Sequence, residues 1–118
     1  MIFVKDSEIH GQGVFSSKFI EQGETIELCP YLVIGHDDIS DTNILHDYVF
    51  LSPDCDDDFL IVLGQGMVYN HSNDPNAEWT ISECGLFVKF FAVKPIPAGT
   101  EILHDYGEDY WSSRSDLL

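Results

Sequence analysis

Residues 70–76 read Asn70-His71-Ser72-Asn73-Asp74-Pro75-Asn76. Taken alone, this string predicts only a turn, because asparagine side chains close Asx-turns and proline presets the backbone. Two further strings accompany it: Gly11-Gln12-Gly13-Val14-Phe15 precedes it, and Gly99-Thr100-Glu101-Ile102-Leu103-His104-Asp105-Tyr106-Gly107 follows it. The order and spacing of the three strings decide how the fold and the function are interpreted.

The length and composition indicate one small, acidic, globular domain. The 118 residues suit a single domain, and a content of 44% hydrophobic and 13% aromatic residues argues against disorder. Five Lys and Arg residues against 21 Asp and Glu give a formal net charge of −16. We therefore expect no direct contact with nucleic acid, which needs basic surface. A basic partner is steered inward by this charge, although acidity that serves only solubility is an open alternative.

The cysteines and the N-terminal residues bear on the compartment. The three cysteines, Cys29, Cys55 and Cys84, form no CxxC pair, and their odd number argues against a disulfide framework. Residues 1–6 lack a signal-peptide pattern, and no apolar run approaches the roughly 20 residues that span a bilayer. We expect a soluble intracellular protein that makes no membrane contact.

Strand patterns dominate the chain. Stretches rich in β-branched, aromatic and other apolar residues predict strands at 2–5, 14–15, 25–34, 48–51, 59–63, 86–93 and from 102 onward. Pro30 confines the third of these to a sheet edge or splits it. Residues 41–47 and 64–69 predict at most single helical turns. The expected architecture is mostly β, with short strands and long irregular connections.

One internal echo links the two halves of the chain. Residues 20–26 and 96–102 both read I-x-x-G-x-x-I, a turn that leads into a strand. The glycines, Gly23 and Gly99, are expected to supply a positive φ in both turns. Two occurrences indicate shared turn chemistry and do not make a repeat architecture.

Metal-site patterns fail when the required ligands are checked. Residues 54–58 place acids as an EF-hand loop begins, but Phe59 stands where that loop needs glycine and Gln65 where it needs glutamate. The five histidines show no HExxH spacing and no complementary cysteine pair. We expect no metal site.

Taken together, the three strings resemble the SET-domain methyltransferases. That family has a G-x-G turn followed by an apolar pair, then N-H-S-x-x-P-N, then G-E-E-L/I-x-x-x-Y. The middle string is complete here, and the last departs only at Thr100, which replaces a glutamate. The resemblance runs from about residue 10 to residue 111. The segment from Asp47 and the Tyr110-Trp111 ending look most like the compact, stand-alone viral-type SET proteins.

The resemblance implies a mostly β fold of small sheets whose C-terminal segment is threaded beneath a loop as a pseudoknot. That threading brings Asn70 and His71 beside Tyr106. It also implies a single SET domain over residues 1–118, with the motif-bearing region at about 10–111.

The resemblance further implies a protein-lysine N-methyltransferase that uses S-adenosyl-L-methionine. Tyr106 matches the essential tyrosine of the family, and its hydroxyl is expected to orient the lysine amine and the methyl group. The cofactor is expected to contact the Gly11-Gln12-Gly13 turn and the backbone groups of Asn70 and His71. Trp111 is expected either to cover the cofactor or to close the core. No side-chain general base is evident in the sequence.

The substrate is expected to be a lysine in a basic protein segment, such as a histone tail. Tyr48 and Tyr110 are candidates for the aromatic wall of the lysine channel, because aromatic faces attract ammonium groups. Ordinary packing is the alternative role for both. The protein would then work in the nucleus, or in a host nucleus, and otherwise in the cytoplasm.

Two other functions stay open at this point, together with the oligomeric state. Because Gln12 and Thr100 depart from the family pattern, the chain could be a catalytically weak module that binds basic peptides. It could also methylate a non-histone protein. A possible homodimer follows from the resemblance to compact members and from the small core of so short a chain.

Overall fold

The computed structural model describes residues 1–39, 48–53 and 58–107. Within these residues the chain forms nine strands and one 3-10 turn, His36–Asp38. The strands are β1 (Ile2–Asp6), β2 (Gln12–Ser16), β3 (Thr25–Gly35), β4 (Phe50–Leu51), β5 (Asp58–Val62), β6 (Asn70–His71), β7 (Ala77–Ile81), β8 (Phe87–Ala92) and β9 (Glu101–His104). The mostly β architecture expected from the sequence is therefore confirmed. The helical turn expected at 41–47 lies outside the described residues.

The strands form two sheets. One has the order β1-β2-β9-β6, and the other has the order β4-β5-β3-β8-β7. Among the described strands, β6 and β9 make a parallel pair, while the remaining pairs are antiparallel. Parallel neighbours need a long crossover connection, so this pair joins segments that are distant in sequence.

Pro30 marks a change of partner within the longest strand. Residues of β3 up to Pro30 pair with β8, and residues from Tyr31 to the end of the strand pair with β5. Proline has no N–H to donate to a ladder, so it is tolerated where the strand leaves one neighbour for the next. The expectation that Pro30 confines this segment to a sheet edge or splits it is wrong for the strand itself, which runs unbroken between β5 and β8, although its pairing partner changes at Pro30.

The two echoed segments lie against each other. Ile20 and Ile96, both fully buried, exchange two backbone hydrogen bonds of 2.9 Å. Gly23 has φ 87° and Gly99 has φ 82°, which confirms the expected positive φ. The Gly23 N–H donates to the carbonyl of Ala92, the last residue of β8, and the Gly99 N–H donates to the carbonyl of Ser16, the last residue of β2. The unit formed by β2, its turn and β3 thus pairs with the unit formed by β8, its turn and β9. In this arrangement β2 pairs with β9, and β3 pairs with β8.

Some elements differ from the sequence-based expectations. Strands β6 and β7 were not predicted, because their polar residues hide the period-two pattern. Residues 63–68 form hydrogen-bonded turns instead of a helical turn. The strand expected at 48–51 is shorter, since β4 contains only Phe50 and Leu51 and pairs with β5 alone.

The core contains residues of both sheets and of the turns that precede β3 and β9. Its largest fully buried side chains include Tyr69, Phe90, Leu60 and Ile102. Cys29 is also fully buried, whereas Cys84 is exposed, and both are free thiols. Burial, reinforced by the adjacent Glu27 carboxylate, raises the pKa of the Cys29 thiol to about 12, so this thiol stays protonated.

Candidate active site

The parallel pairing of β6 with β9 assembles the site. Asn70 lies opposite Leu103, and His71 lies opposite His104. Tyr106 is the second residue after β9, and its backbone N–H donates to His71 in β6. The expectation that Asn70 and His71 lie beside Tyr106 is thus met. The expected threading of the C-terminal segment beneath a loop falls on residues after 107, which lie outside the described residues.

The side-chain amide of Asn70 binds to both of the other strings, at residues 11–15 and 99–107. This residue is only 6% exposed. Its Nδ2 donates to Glu101 Oε2 at 2.8 Å, to the His10 carbonyl at 3.0 Å and to the Gln12 carbonyl at 3.2 Å. An amide carries only two hydrogens, so the three contacts share them. We call this arrangement of Asn70, Glu101 and the two carbonyls the Asn70 clamp.

The carboxylate of Glu101 explains why residue 13 is glycine. Glu101 also accepts hydrogen bonds from the Ser7 hydroxyl at 2.7 and 3.0 Å. A Cβ on Gly13 would overlap the Glu101 Oε2 oxygen. Gly11, in contrast, has φ 49° and open space where its Cβ would lie. Gly13 is therefore required by packing against a carboxylate, whereas Gly11 is required by backbone conformation.

Tyr106 is held at both ends by the residues that flank Asn70. Its hydroxyl donates to the Tyr69 carbonyl at 2.6 Å, and its backbone N–H donates to His71 Nδ1 at 3.0 Å. His71 Nε2 lies 2.8 Å from Asn73 Oδ1. The ring and the backbone of Tyr106 are thus fixed by residues 69–71.

The last asparagine of the string acts as a strand partner for β9. Asn76 Nδ2 donates to the Glu101 carbonyl at 2.9 Å, and Asn76 Oδ1 accepts from the Leu103 N–H at 2.8 Å. A local turn does form, since Ser72 Oγ accepts from the Asp74 N–H at 3.0 Å. The string is therefore more than a turn, because four of its side chains, those of Asn70, His71, Asp74 and Asn76, bind distant segments.

An imidazole lies buried among aromatic rings next to Tyr106. His104 is 3% exposed, and neither ring nitrogen has a hydrogen-bond partner in the part of the chain that the structure describes. Its ring lies 4.9 Å from Tyr106, 5.6 Å from both Phe50 and Phe90, and 6.2 Å from Tyr69. Burial lowers the pKa of His104 to about 4, although the adjacent backbone favours the charged ring.

The remaining residues predicted to line the lysine channel or to bind the cofactor differ in where the structure places them. Tyr48 is 41% exposed, and within the described residues the ring that reaches the cluster from this segment is Phe50. The Gln12 side chain is exposed, whereas its carbonyl takes part in the Asn70 clamp. Tyr110 and Trp111 lie outside the described residues. Sequence analysis missed Phe50, because a phenylalanine beside Tyr48 carries no signal that separates it from core.

Other residues of the site also escaped sequence analysis. Ser7 lies 94 residues from its partner Glu101, and Tyr69 lies 37 residues from Tyr106. His104 stands inside the third string, but its burial follows only from the register of β9. The adjacency of Tyr69 to the string at 70–76 was the one signal that could have drawn attention to it.

Two other features are absent from the described ranges. No group of three or more His, Cys, Asp or Glu residues there is arranged to hold a metal ion. No helix there is long and apolar enough to cross a membrane.

The SET-domain family model matches residues 11–107. This chain belongs to the SET-domain family. The SET fold and the enzyme class expected from the sequence, a protein-lysine N-methyltransferase, are thereby confirmed. The narrower resemblance to viral-type members stays a prediction.

Individual SET relatives span much of the chain. A Schizosaccharomyces pombe histone-lysine N-methyltransferase, H3 lysine-37 specific, is 23% identical over 111 residues, which cover 92% of this chain and 74% of that protein. A crystal structure of a candidate histone methyltransferase from Plasmodium falciparum has a TM-score of 0.75 and 32% identity. That match covers 93% of this chain and 96% of the other.

A larger assembly shares the fold. The Chaetomium thermophilum polycomb repressive complex 2 has a TM-score of 0.76 and 24% identity, and it covers 92% of this chain. The match occupies 15% of that longer chain. This likeness concerns the fold alone.

We predict that Gly13→Ala lowers the free energy of unfolding by about 1–3 kcal/mol, because the new methyl group displaces the Glu101 carboxylate. Gly35→Ala is the matched control. Neither glycine has a positive φ, and a Cβ on Gly35 would meet its nearest atom, Asp38 Oδ2, at 3.4 Å. Denaturant unfolding of both variants checks this, and equal losses would contradict the role of Glu101.

We predict that His104→Phe removes part of the acid sensitivity of folding. The unfolded ring binds a proton below about pH 6.5, while the folded ring stays neutral to about pH 4. The unfolded state therefore binds more protons in this window, and the native protein loses up to about 3 kcal/mol on acidification. At pH 7 the variant should be as stable or more stable, because two unpaired nitrogens are removed. Parallel stability curves from pH 7 to 4 would exclude this.

Proposed function

We propose that this SET protein transfers methyl groups from S-adenosylmethionine to a lysine amine in a basic protein segment, with histone tails as the substrate class. The observation that carries the proposal is the position of Tyr106. Its hydroxyl is bound to the Tyr69 carbonyl and its backbone to His71, next to the Asn70 clamp. The one tyrosine that matches the essential family residue is thus fixed beside the string expected to bind cofactor.

The residues present fit the cofactor. The side chains of Asn70 and His71 are committed to protein contacts, so cofactor contacts from this string would come from its backbone, as the resemblance implies. Gly11 has open space at its Cβ position and lies on the loop that Asn70 holds. With Gln12 and Gly13 these residues would hold S-adenosylmethionine, and Trp111 stays a predicted contact. When bound, the cofactor supplies a methyl group activated on a sulfonium.

The hydrogen bond of Tyr106 defines what its oxygen can do. A phenol has one hydrogen, and here that hydrogen is given to the Tyr69 carbonyl. Toward a substrate amine or a polarised methyl group, the same oxygen would therefore act as a hydrogen-bond acceptor. Holding the amine in line with the methyl group is the main contribution the protein can make to such a transfer.

The lysine must be neutral to attack, and the ring cluster favours that state. Free lysine has a pKa of about 10.4, and removal from water lowers it. Phe50, Phe90 and the neutral His104 give the region beside Tyr106 an apolar character. With a pKa of about 4, His104 is too weak a base to hold the lysine proton, so desolvation is the principal means of favouring the free amine.

Charge supports a basic substrate. The formal net charge of the chain is −16. Asp58 lies opposite Gly35 in the β3–β5 ladder, directly before Asp37 and Asp38. These acids lie at the Ser52 end of β4, away from Tyr48, so they act on a basic tail through the summed field. The acids at 41, 54, 56 and 57 lie outside the described residues.

The relatives favour histones within that class. The Schizosaccharomyces pombe relative is named for histone H3 lysine 37, and the Plasmodium falciparum protein is described as a candidate histone methyltransferase. A polycomb structure with the same fold is bound to S-adenosylmethionine. A histone substrate would place this protein in a nucleus. Methylation of a non-histone protein is an outcome that a substrate screen distinguishes.

The departures at Gln12 and Thr100 do not favour an inactive module. The acid that binds Asn70 is Glu101, which is retained, and Thr100 contributes backbone hydrogen bonds. Gln12 takes part through its carbonyl, so its side chain changes only exposed surface. The homodimer, the single domain over residues 1–118 and the absence of nucleic-acid contact stay predictions.

We predict that the protein transfers labelled methyl groups from S-adenosylmethionine to purified histones, and that Tyr106→Phe lowers the turnover about 100-fold or more. Affinity for S-adenosylmethionine, measured by calorimetry, should change little, because the phenyl ring keeps its packing. If proteins of a cell extract are labelled but histones are not, the substrate is a non-histone protein and the histone assignment is wrong.

Tyr31→Phe is the matched control for this experiment. The Tyr31 hydroxyl also donates to a backbone carbonyl, that of Gly85, at 2.7 Å, but it lies on β3 away from the site. Its removal should leave turnover within about twofold. Near-normal turnover in Tyr106→Phe would show that Tyr106 does not act as proposed.

A further inference from the structure

The connection that presents the Tyr69 carbonyl is a tight loop. Residues 63–69 link β5 to β6, with hydrogen bonds from Gly66 N to Leu63 O at 3.3 Å and from Val68 N to Gln65 O at 3.0 Å. The start of the loop is tied to β3 by Leu63 N, which donates to the Pro30 carbonyl at 2.8 Å. The position of the carbonyl that accepts from Tyr106 therefore depends on how this loop is held.

One carboxylate holds the loop at two points. Glu27 Oε2 accepts from the Gln65 N–H at 3.0 Å, and Glu27 Oε1 accepts from the Tyr69 hydroxyl at 2.8 Å. A Cβ on Gly64 would lie 2.7 Å from the same Oε2 oxygen, so the loop closes directly over the carboxylate. Hydrogen bonds to an ionised carboxylate are about twice as strong as neutral ones.

The Tyr69 side chain connects this carboxylate to the site. Its ring is 2% exposed and stacks on Phe90 at 4.3 Å. Burial, reinforced by the Glu27 charge, raises the pKa of the Tyr69 hydroxyl far above its ordinary value, so this hydroxyl is a permanent donor. The buried, stacked ring therefore carries a hydroxyl that donates to Glu27.

We propose that Glu27 is a positioning residue for methyl transfer, which acts through the Tyr69 side chain on the Tyr69 carbonyl and thereby on the Tyr106 hydroxyl. The hydrogen bonds described for Glu27 join it to Gln65 and Tyr69, so its effect on Tyr106 would be indirect. The proposal rests on the role assigned to Tyr106 under the proposed function. A hydroxyl that is displaced by about 1 Å can cost a large factor in rate, so a distant anchor can control turnover.

The test uses Tyr69→Phe, which keeps the stacked ring and deletes one hydroxyl. We expect turnover on the histone substrate to fall about 10-fold or more, while affinity for S-adenosylmethionine stays within about threefold. Glu27→Gln is the second variant, should Tyr69→Phe fold poorly. It keeps the side-chain size but cannot accept from both donors in the same way, and the same pattern is expected. Tyr31→Phe again serves as the control.

A double variant separates positioning from general support of the fold. If Tyr69 acts through the Tyr106 hydroxyl, then Tyr69→Phe should not lower the residual turnover of Tyr106→Phe any further. A merely structural role would lower turnover by the same factor in both backgrounds, and that result would overturn the proposal. Full activity of Tyr69→Phe and Glu27→Gln in single form would overturn it as well.

These outcomes are distinguishable from failure of the proposed function. If Tyr106→Phe retains turnover, the role of Tyr106 is wrong and the positioning chain has no target. If Tyr106→Phe is inactive while Tyr69→Phe is fully active, only the positioning proposal fails.

Discussion

The site depends on the hydrogen bonds of one buried amide. Asn70 is the point at which three strings of the chain meet, because its Nδ2 binds Glu101 and two carbonyls of the glycine turn. A buried amide left without partners costs about 1–3 kcal/mol, so the three segments are held together by more than their packing. The charged acceptor makes the bond to Glu101 the strongest of the set.

Several features that look independent in the sequence follow from this clamp. Residue 13 is glycine because the Glu101 carboxylate occupies the space beside it. Thr100 is tolerated because the acid used by the clamp is its neighbour. His71 can hold Tyr106 because the clamp and the β6–β9 pairing place residues 70 and 71 against β9. The site is thus built from one polar network with an aromatic cluster beside it.

The sequence predicted much of the fold and part of the site, for identifiable physical reasons. Strands such as β5 and β8 were predictable because apolar runs indicate burial, and Gly23 and Gly99 were predictable because a turn signature precedes each following strand. The adjacency of Asn70 to Tyr106 came from the family resemblance. The rest depends on register. Nothing in the local pattern indicates that Phe50, and not Tyr48, reaches the ring cluster, or that Glu27 lies beneath the 63–69 loop.

The most direct measurement is a double-mutant cycle of Asn70→Ala and Glu101→Ala, followed by unfolding and by S-adenosylmethionine calorimetry. If the clamp joins the strings as described, the two substitutions are coupled by about 1–3 kcal/mol in stability, and either one alone removes most of the cofactor affinity. Additive effects within about 0.5 kcal/mol, with cofactor affinity unchanged in the single variants, would contradict this account.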